Sequence, residues 1–116
     1  MSRVSTYLNF MENAEEAFGF YRTVFGTEFI DPVVRFADMP AGPGAPSLSE
    51  AEQRMIMHIE LPILGGHVLM ATDMLRSMGR DVRVGNNTTV HLEVDSRTEA
   101  DRLYAALSDG GATTAA

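Results

Sequence analysis

Two histidines and two glutamates stand in pairs, His58 with Glu60 and His91 with Glu93, each pair two positions apart in an extended-looking stretch. A strand's period of two puts both members of such a pair on one face. From Arg54 to Pro62, Ile56, His58 and Glu60 alternate with Met55, Met57, Ile59 and Leu61. From Thr88 to Asp95, Thr89, His91 and Glu93 alternate with Val90, Leu92 and Val94. Two His and two Glu facing one space can ligate a divalent ion or act as acid and base, because imidazole titrates near neutrality and burial strengthens a glutamate's hold on its proton. The same pattern also suits a polar sheet face wetted by solvent. His67, beside Gly65-Gly66, reads as a solvated turn residue with no role. Arg35 can neutralise an anionic ligand or discourage edge pairing. Met55, Met57, Met70, Met74 and Met78 read as adaptable packing or as the wall of a permissive apolar pocket.

Composition narrows these options. The chain has 116 residues, enough for one small domain with its own core. A net charge of -7 repels phosphate backbones and anionic lipid, so nucleic acid and membrane surfaces are not expected partners. Without cysteine there is no thiolate nucleophile or cysteine-zinc site, and any metal has to be held by His, Asp, Glu or water. Met1 to Phe10 lacks a basic stretch followed by an apolar run, and no stretch is long and apolar enough to span a bilayer. A cytoplasmic location is therefore expected.

The elements that would position these residues follow from periodicity. Ala14, Ala17, Phe18, Tyr21, Val24 and Phe25 form a helical stripe, with Asn13 and Glu16 as a capping box and Gly26 as the stop. Ser96 and Glu99 open a second helix, Ala100, Leu103, Tyr104 and Leu107 form its stripe, and Gly110-Gly111 ends it. Strands are predicted at Val4 to Phe10, Glu28 to Phe36, Arg54 to Pro62, His67 to Thr72 and Thr88 to Asp95. Leu64-Gly65-Gly66-His67 joins the third and fourth as an antiparallel hairpin. Asp38 to Glu52, with Pro40, Pro43 and Pro46, is expected to be a loop.

The chain also aligns with itself at an offset of 83 residues, which sets Thr6 on Thr89, Asn13 on Ser96, Glu16 on Glu99, Ala17 on Ala100 and Tyr21 on Tyr104. Strand, cap and helix stripe recur together. The expected organisation is one domain over 1–111, with a first module 1–73, a connection 74–87, a partial second module 88–111 and a tail 112–116. The equivalents of Val34 to Asp73 are missing from the second copy, which is thereby reduced to strand plus helix.

Tyr7-Leu8-Asn9-Phe10, Asn13-Ala14-Glu15-Glu16-Ala17, Phe20-Tyr21, Val24-Phe25-Gly26, Phe36-Ala37-Asp38-Met39-Pro40, Met57-His58, Leu69-Met70-Ala71, Gly85-Asn86-Asn87 and Leu92-Glu93-Val94-Asp95 resemble the PhnB-like branch of the glyoxalase / bleomycin-resistance / dioxygenase (vicinal oxygen chelate) superfamily, C-terminally incomplete. The resemblance implies an α+β fold of paired βαβββ modules forming half-barrels, whose inner faces make a ligand cavity, and a homodimer. The family's aromatic tail with repeated Phe-Gly and Trp is replaced here by Ala112-Thr113-Thr114-Ala115-Ala116.

Mapped by motif, the family's metal-ligand positions fall on Thr6, Thr89 and Met70 or Ala71, none of which is a His, Glu or Gln. No metal or other cofactor is therefore expected. The expected ligand cleft is lined by Thr6, Leu8, Phe10, His58, Glu60, Thr89, His91 and Glu93. The leading reading is a homodimeric, metal-free protein that binds a small organic molecule, its dimer contact drawn from Tyr7, Phe10, Met55, Met57 and the fifth strand. One rival is a metal-dependent lyase, isomerase or dioxygenase using His58, His91 and Glu93 as catalytic candidates. The other is a degenerate structural dimer module.

Overall fold

Strands β1 (Thr6–Phe10), β2 (Val34–Arg35), β3 (Ile56–Pro62) and β4 (Val68–Asp73) form one sheet in the order β1-β4-β3-β2. The computed structural model describes residues 2–38 and 48–111. The chain divides into two units, Met1–Val84 and Gly85–Ala116, and the sheet belongs to the first. β1 runs parallel to β4, and the other neighbours are antiparallel. With helix α1 (Ala14–Phe25) between β1 and β2, the first unit is a βαβββ module of α+β class, as the periodicity requires. A one-turn helix α2 (Glu50–Gln53) precedes β3, opened by a full capping box between Ser49 and Glu52. Most of the loop expected from Asp38 to Glu52 lies outside the described residues, as does the tail 112–116.

Ala14, Phe18 and Val24 on α1 are buried, with Ile56, Ile59, Leu61, Leu69, Ala71 and Leu75 from the sheet and its margin. Gly26 ends the helix in the left-handed region at φ 66, a conformation that costs little without a Cβ, and its N–H donates to the Arg22 carbonyl at 2.9 Å. The start of the helix differs from expectation. Asn13 makes no side-chain cap bond. The Ala14 amide instead donates to Asp73 Oδ1 at 2.9 Å, while Asp73 Oδ2 accepts from the Ile56 amide at 2.8 Å. A buried carboxylate from the end of β4 has taken over the cap, a stronger acceptor than a neutral amide would be. Asn13→Ala is therefore expected to change stability by less than about 0.5 kcal/mol. Ser96→Ala should cost about 1 kcal/mol, because Ser96 Oγ does accept from the Glu99 amide at 3.1 Å. Urea titrations followed by far-UV circular dichroism separate the two cases.

β2 is far shorter than the Glu28 to Phe36 strand that its composition suggested. Pro32 has no N–H and interrupts a ladder. The preceding segment stays beside β3 through isolated bonds, Ile30 N–H to the Glu60 carbonyl at 3.1 Å and Thr27 Oγ1 to the Pro62 carbonyl at 2.6 Å. Arg35 is engaged too, forking onto both Glu15 oxygens at 3.0 and 2.7 Å and reaching the Arg54 carbonyl at 2.6 Å. This guanidinium holds the Glu15 carboxyl below its ordinary range.

β3 contains a bulge. Val34 lies opposite His58 and Arg35 opposite Ile56, so Met57 is an extra residue with no partner across the pair. The extra residue changes the strand's parity, and Ile56 is fully buried along with Ile59 and Leu61. The hairpin to β4 turns through Leu64–Gly66 with Gly65 at φ 61 and Gly66 at φ 79, two consecutive left-handed residues that account for the glycine pair.

In the second unit, helix α3 (Arg97–Ser108) has the same length as α1 and starts 83 positions after it, the offset of the internal repeat. Leu103 is its buried residue. The fifth strand expected at Thr88 to Asp95 is not formed. A strand exists only against a partner, and among the described residues this unit has no other strand to pair with. No helix among the described residues is long and apolar enough to cross a membrane.

Candidate functional site

Residues opposite one another in a ladder share a face of the sheet. Thr6, Leu8 and Phe10 pair with Leu69, Ala71 and Asp73, and Phe10 meets Phe18 of α1 edge-on with ring centroids 6.0 Å apart. These three expected cleft residues therefore stand on the helix side. Their alternates Tyr7 and Asn9 pair with Met70 and Thr72, and Met70 also pairs with Glu60. The open face thus collects Tyr7, Asn9, Glu60, Met70 and Thr72, with His58 reaching Tyr7 and Glu60 at its margin.

On that face the polar groups form a chain. Arg3 donates to Glu60 Oε1 at 3.2 Å, Glu60 Oε2 lies 3.6 Å from His58 Nε2, and His58 Nδ1 lies 3.4 Å from the Tyr7 hydroxyl. The Tyr7 and His58 rings are tilted by 40° at a centroid distance of 5.8 Å. With a proton on Nε2 directed at Glu60, Nδ1 is an acceptor for the tyrosine hydroxyl. Glu60 is well shielded, its side chain 13% exposed, while Tyr7 remains 49% exposed. The chain is exposed at both ends, at the Arg3 side chain and at the Tyr7 phenol, and Met70 lies opposite Tyr7 as an apolar floor.

The other expected site residues fall elsewhere. His91 Nε2 and Glu93 Oε1 lie 3.2 Å apart in the second unit, both side chains largely exposed, as is Thr89. His67 is not a free turn residue. Half-buried, it places Nε2 2.8 Å from Thr6 Oγ1 on the helix side of the sheet. Among the described residues no group of three or more His, Cys, Asp or Glu is placed to hold a metal ion.

A second concavity of about 410 Å³ opens where α1 begins, lined by Glu12, Glu15, Glu16, Arg54 and Met55, with Asp73 among its walls. Two of its carboxylates are already paired, Glu15 with Arg35 and Glu12 with Arg76 at 3.6 Å. Glu12 sits at φ 70, where L residues are strained.

Tyr7, Arg3 and Asp73 were not anticipated as organising residues. A signal for Tyr7 was present, since Leu8 and Phe10 are the apolar parity of β1 and belong against the helix. Nothing comparable marks Asp73, whose two partners come from distant parts of the chain.

No family model and no curated protein matches this chain. Among solved structures, protein PA1353 from Pseudomonas aeruginosa superposes with a TM-score of 0.75 at 29% identity, covering 95% of this chain and 74% of that one. The PhnB protein from Bacillus cereus, which carries a 3-demethylubiquinone-9 3-methyltransferase label, superposes with a TM-score of 0.55 at 20% identity, covering 92% of this chain and 74% of the other. The fold is PhnB-like. At such identity the second likeness speaks for the fold alone, and the chemistry of the PhnB-like sheet face has to be argued from its own side chains.

Proposed function

We propose that this chain is a cytoplasmic member of the glyoxalase / bleomycin-resistance / dioxygenase superfamily that binds a small organic molecule on the open sheet face without a metal. The observation that carries this reading is the chain of Arg3, Glu60, His58 and Tyr7 beside Met70. Arg3 and Glu60 are paired with one another, one end of the chain is a half-exposed phenol with both a donor and an acceptor, and its floor is apolar. Such a surface selects a ligand by stacking and one or two hydrogen bonds. The metal-free part is supported by the Thr6 hydroxyl, which is occupied by His67 rather than standing free beside a ligand set.

A thermal-shift screen against a metabolite library tests the reading. A ligand at a hundred times its Kd should stabilise the protein by about 2.7 kcal/mol. Tyr7→Ala and His58→Ala should each weaken that ligand by about tenfold or more, equivalent to about 1.4 kcal/mol. A library in which nothing binds, or a ligand indifferent to both substitutions, refutes the site. Zinc, nickel, manganese or iron should leave Tm nearly unchanged, and a rise of many degrees at micromolar metal would refute the metal-free part.

A further inference from the structure

We propose that Met70 is an oxidation site through which a peroxide rewires the open sheet face, the sulfoxide taking the Tyr7 hydroxyl away from His58. This deepens the ligand reading by giving that face a regulator, and only the consequence for binding rests on that reading. The chain has no cysteine, so thioethers are its oxidisable sulfur. Six methionines lie among the described residues, Met11, Met55, Met57, Met70, Met74 and Met78, and none of them is buried. The buried apolar side chains are those of Ala, Val, Leu, Ile and Phe. Adaptable core packing, one of the two roles the sequence suggested for these methionines, is therefore not theirs, and an oxidant can act on thioether sulfur without opening the core.

Met70 is set apart by its place in the sheet. It lies opposite Tyr7 in one ladder and opposite Glu60 in the other, on the face that all three share. Neighbouring strands are about 5 Å apart, so the thioether stands within one strand spacing of both Glu60 and Tyr7. The Tyr7 hydroxyl and His58 Nδ1 are 3.4 Å apart, longer than a well-formed hydroxyl bond, which makes this the link most easily displaced. In the reaction the sulfur donates an electron pair to hydrogen peroxide and the O–O bond breaks. One oxygen stays as the S–O of the sulfoxide and the other leaves as water. Sulfur is oxidised and the peroxide reduced, with no further reactant. The product is polar where the thioether was apolar, and its oxygen only accepts hydrogen bonds. Glu60 is an acceptor too, with Oε1 held by Arg3, so the two repel. The new oxygen turns to the Tyr7 hydroxyl, the donor on its other side, and His58 Nδ1 loses its partner.

Peptide mass spectrometry and nitrogen NMR of the histidine rings test this on the full chain without any ligand, so the outcome is independent of the library screen. In folded protein treated with hydrogen peroxide, Met70 should gain one oxygen atom at a rate within about tenfold of that of Met78, which is 46% exposed. In step with that gain the His58 Nδ1 resonance should move, while those of His67 and His91 stay in place. Methionine sulfoxide reductases with a dithiol should reverse both changes. Met70→Leu keeps an apolar side chain without sulfur, and its His58 resonance should ignore peroxide. Met78→Leu should respond as the wild type does. A Met70 that resists peroxide while Met78 is oxidised, an oxidised Met70 with an unmoved His58, a response that survives in Met70→Leu, or an oxidation that unfolds the chain by circular dichroism would overturn the proposal. If Met70→Leu fails to fold, the correlation between Met70 oxidation and the His58 shift in the wild type decides it.

Discussion

Asp73→Ala is expected to destabilise the protein by about 3–5 kcal/mol, the largest loss from any single polar side chain in the sheet unit. The carboxylate is only 3% exposed, and its two oxygens accept from the first amide of α1 and the first amide of β3. Removing it leaves two buried donors without an acceptor, at about 1–3 kcal/mol each. For a chain of this size the loss corresponds to a fall in Tm on the order of 10–20 °C. Asp73→Asn keeps one acceptor oxygen but turns a second donor toward a backbone N–H, so it should recover only part of the loss. The effect should also reach the ligand face, because the Ile56 amide fixes the start of the strand that carries His58 and Glu60. Denaturant titration of the two variants checks the order, and a cost below about 1 kcal/mol for Asp73→Ala would mean that the amides find other partners.

Phe18→Ala should cost a similar about 3–5 kcal/mol for a different reason, the loss of buried ring area together with the cavity left behind. Phe18 is fully buried and meets Phe10 and Tyr21 edge to face, at centroid distances of 6.0 and 5.6 Å. Through Phe10 it ties the helix to the end of β1. Phe20, two residues on, is 39% exposed, and Phe20→Ala should stay within about 0.5–1 kcal/mol of wild type. Thermal unfolding of the pair separates packing from helix propensity, since the substitution is chemically the same on one helix.

Where the signals are local, the sequence was a good guide. The stripes of α1 and α3, the Gly65-Gly66 turn and the β3–β4 hairpin are each specified within a dozen residues, and together they imply the βαβββ module. The repeat offset of 83 residues also separates the starts of the two helices. Long-range effects were not legible. Asn13 has the right type and position for a cap, but a carboxylate from the far end of β4 displaced it, and no periodicity announces that contact. The Met57 bulge reversed the face assigned to Ile56, because counting by two cannot detect one inserted residue. Thr88 to Asp95 shows that strand character in a segment does not supply the partner a strand needs. Thr6, Leu8 and Phe10, expected along the cleft, share the ladder parity that meets α1, because the apolar residues of β1 belong against the helix, and this leaves Tyr7 and Asn9 on the open face.

The parallel pairing of β1 with β4 also orders events in time. Thr6 lies opposite Leu69 and Phe10 opposite Asp73, so the first strand of the module cannot enter the sheet until its last strand has been made. The β3–β4 hairpin closes through a few residues and can form early, whereas docking β1 closes a loop spanning most of the unit. Until then Leu8 and Phe10 remain uncovered on a nascent chain growing at about 5–20 residues per second. Transposing β1 to follow β4 through a crossover linker, as a parallel neighbour requires, should therefore shorten the loop that docking must close and speed refolding, a dependence on the order of the strands and not on their composition.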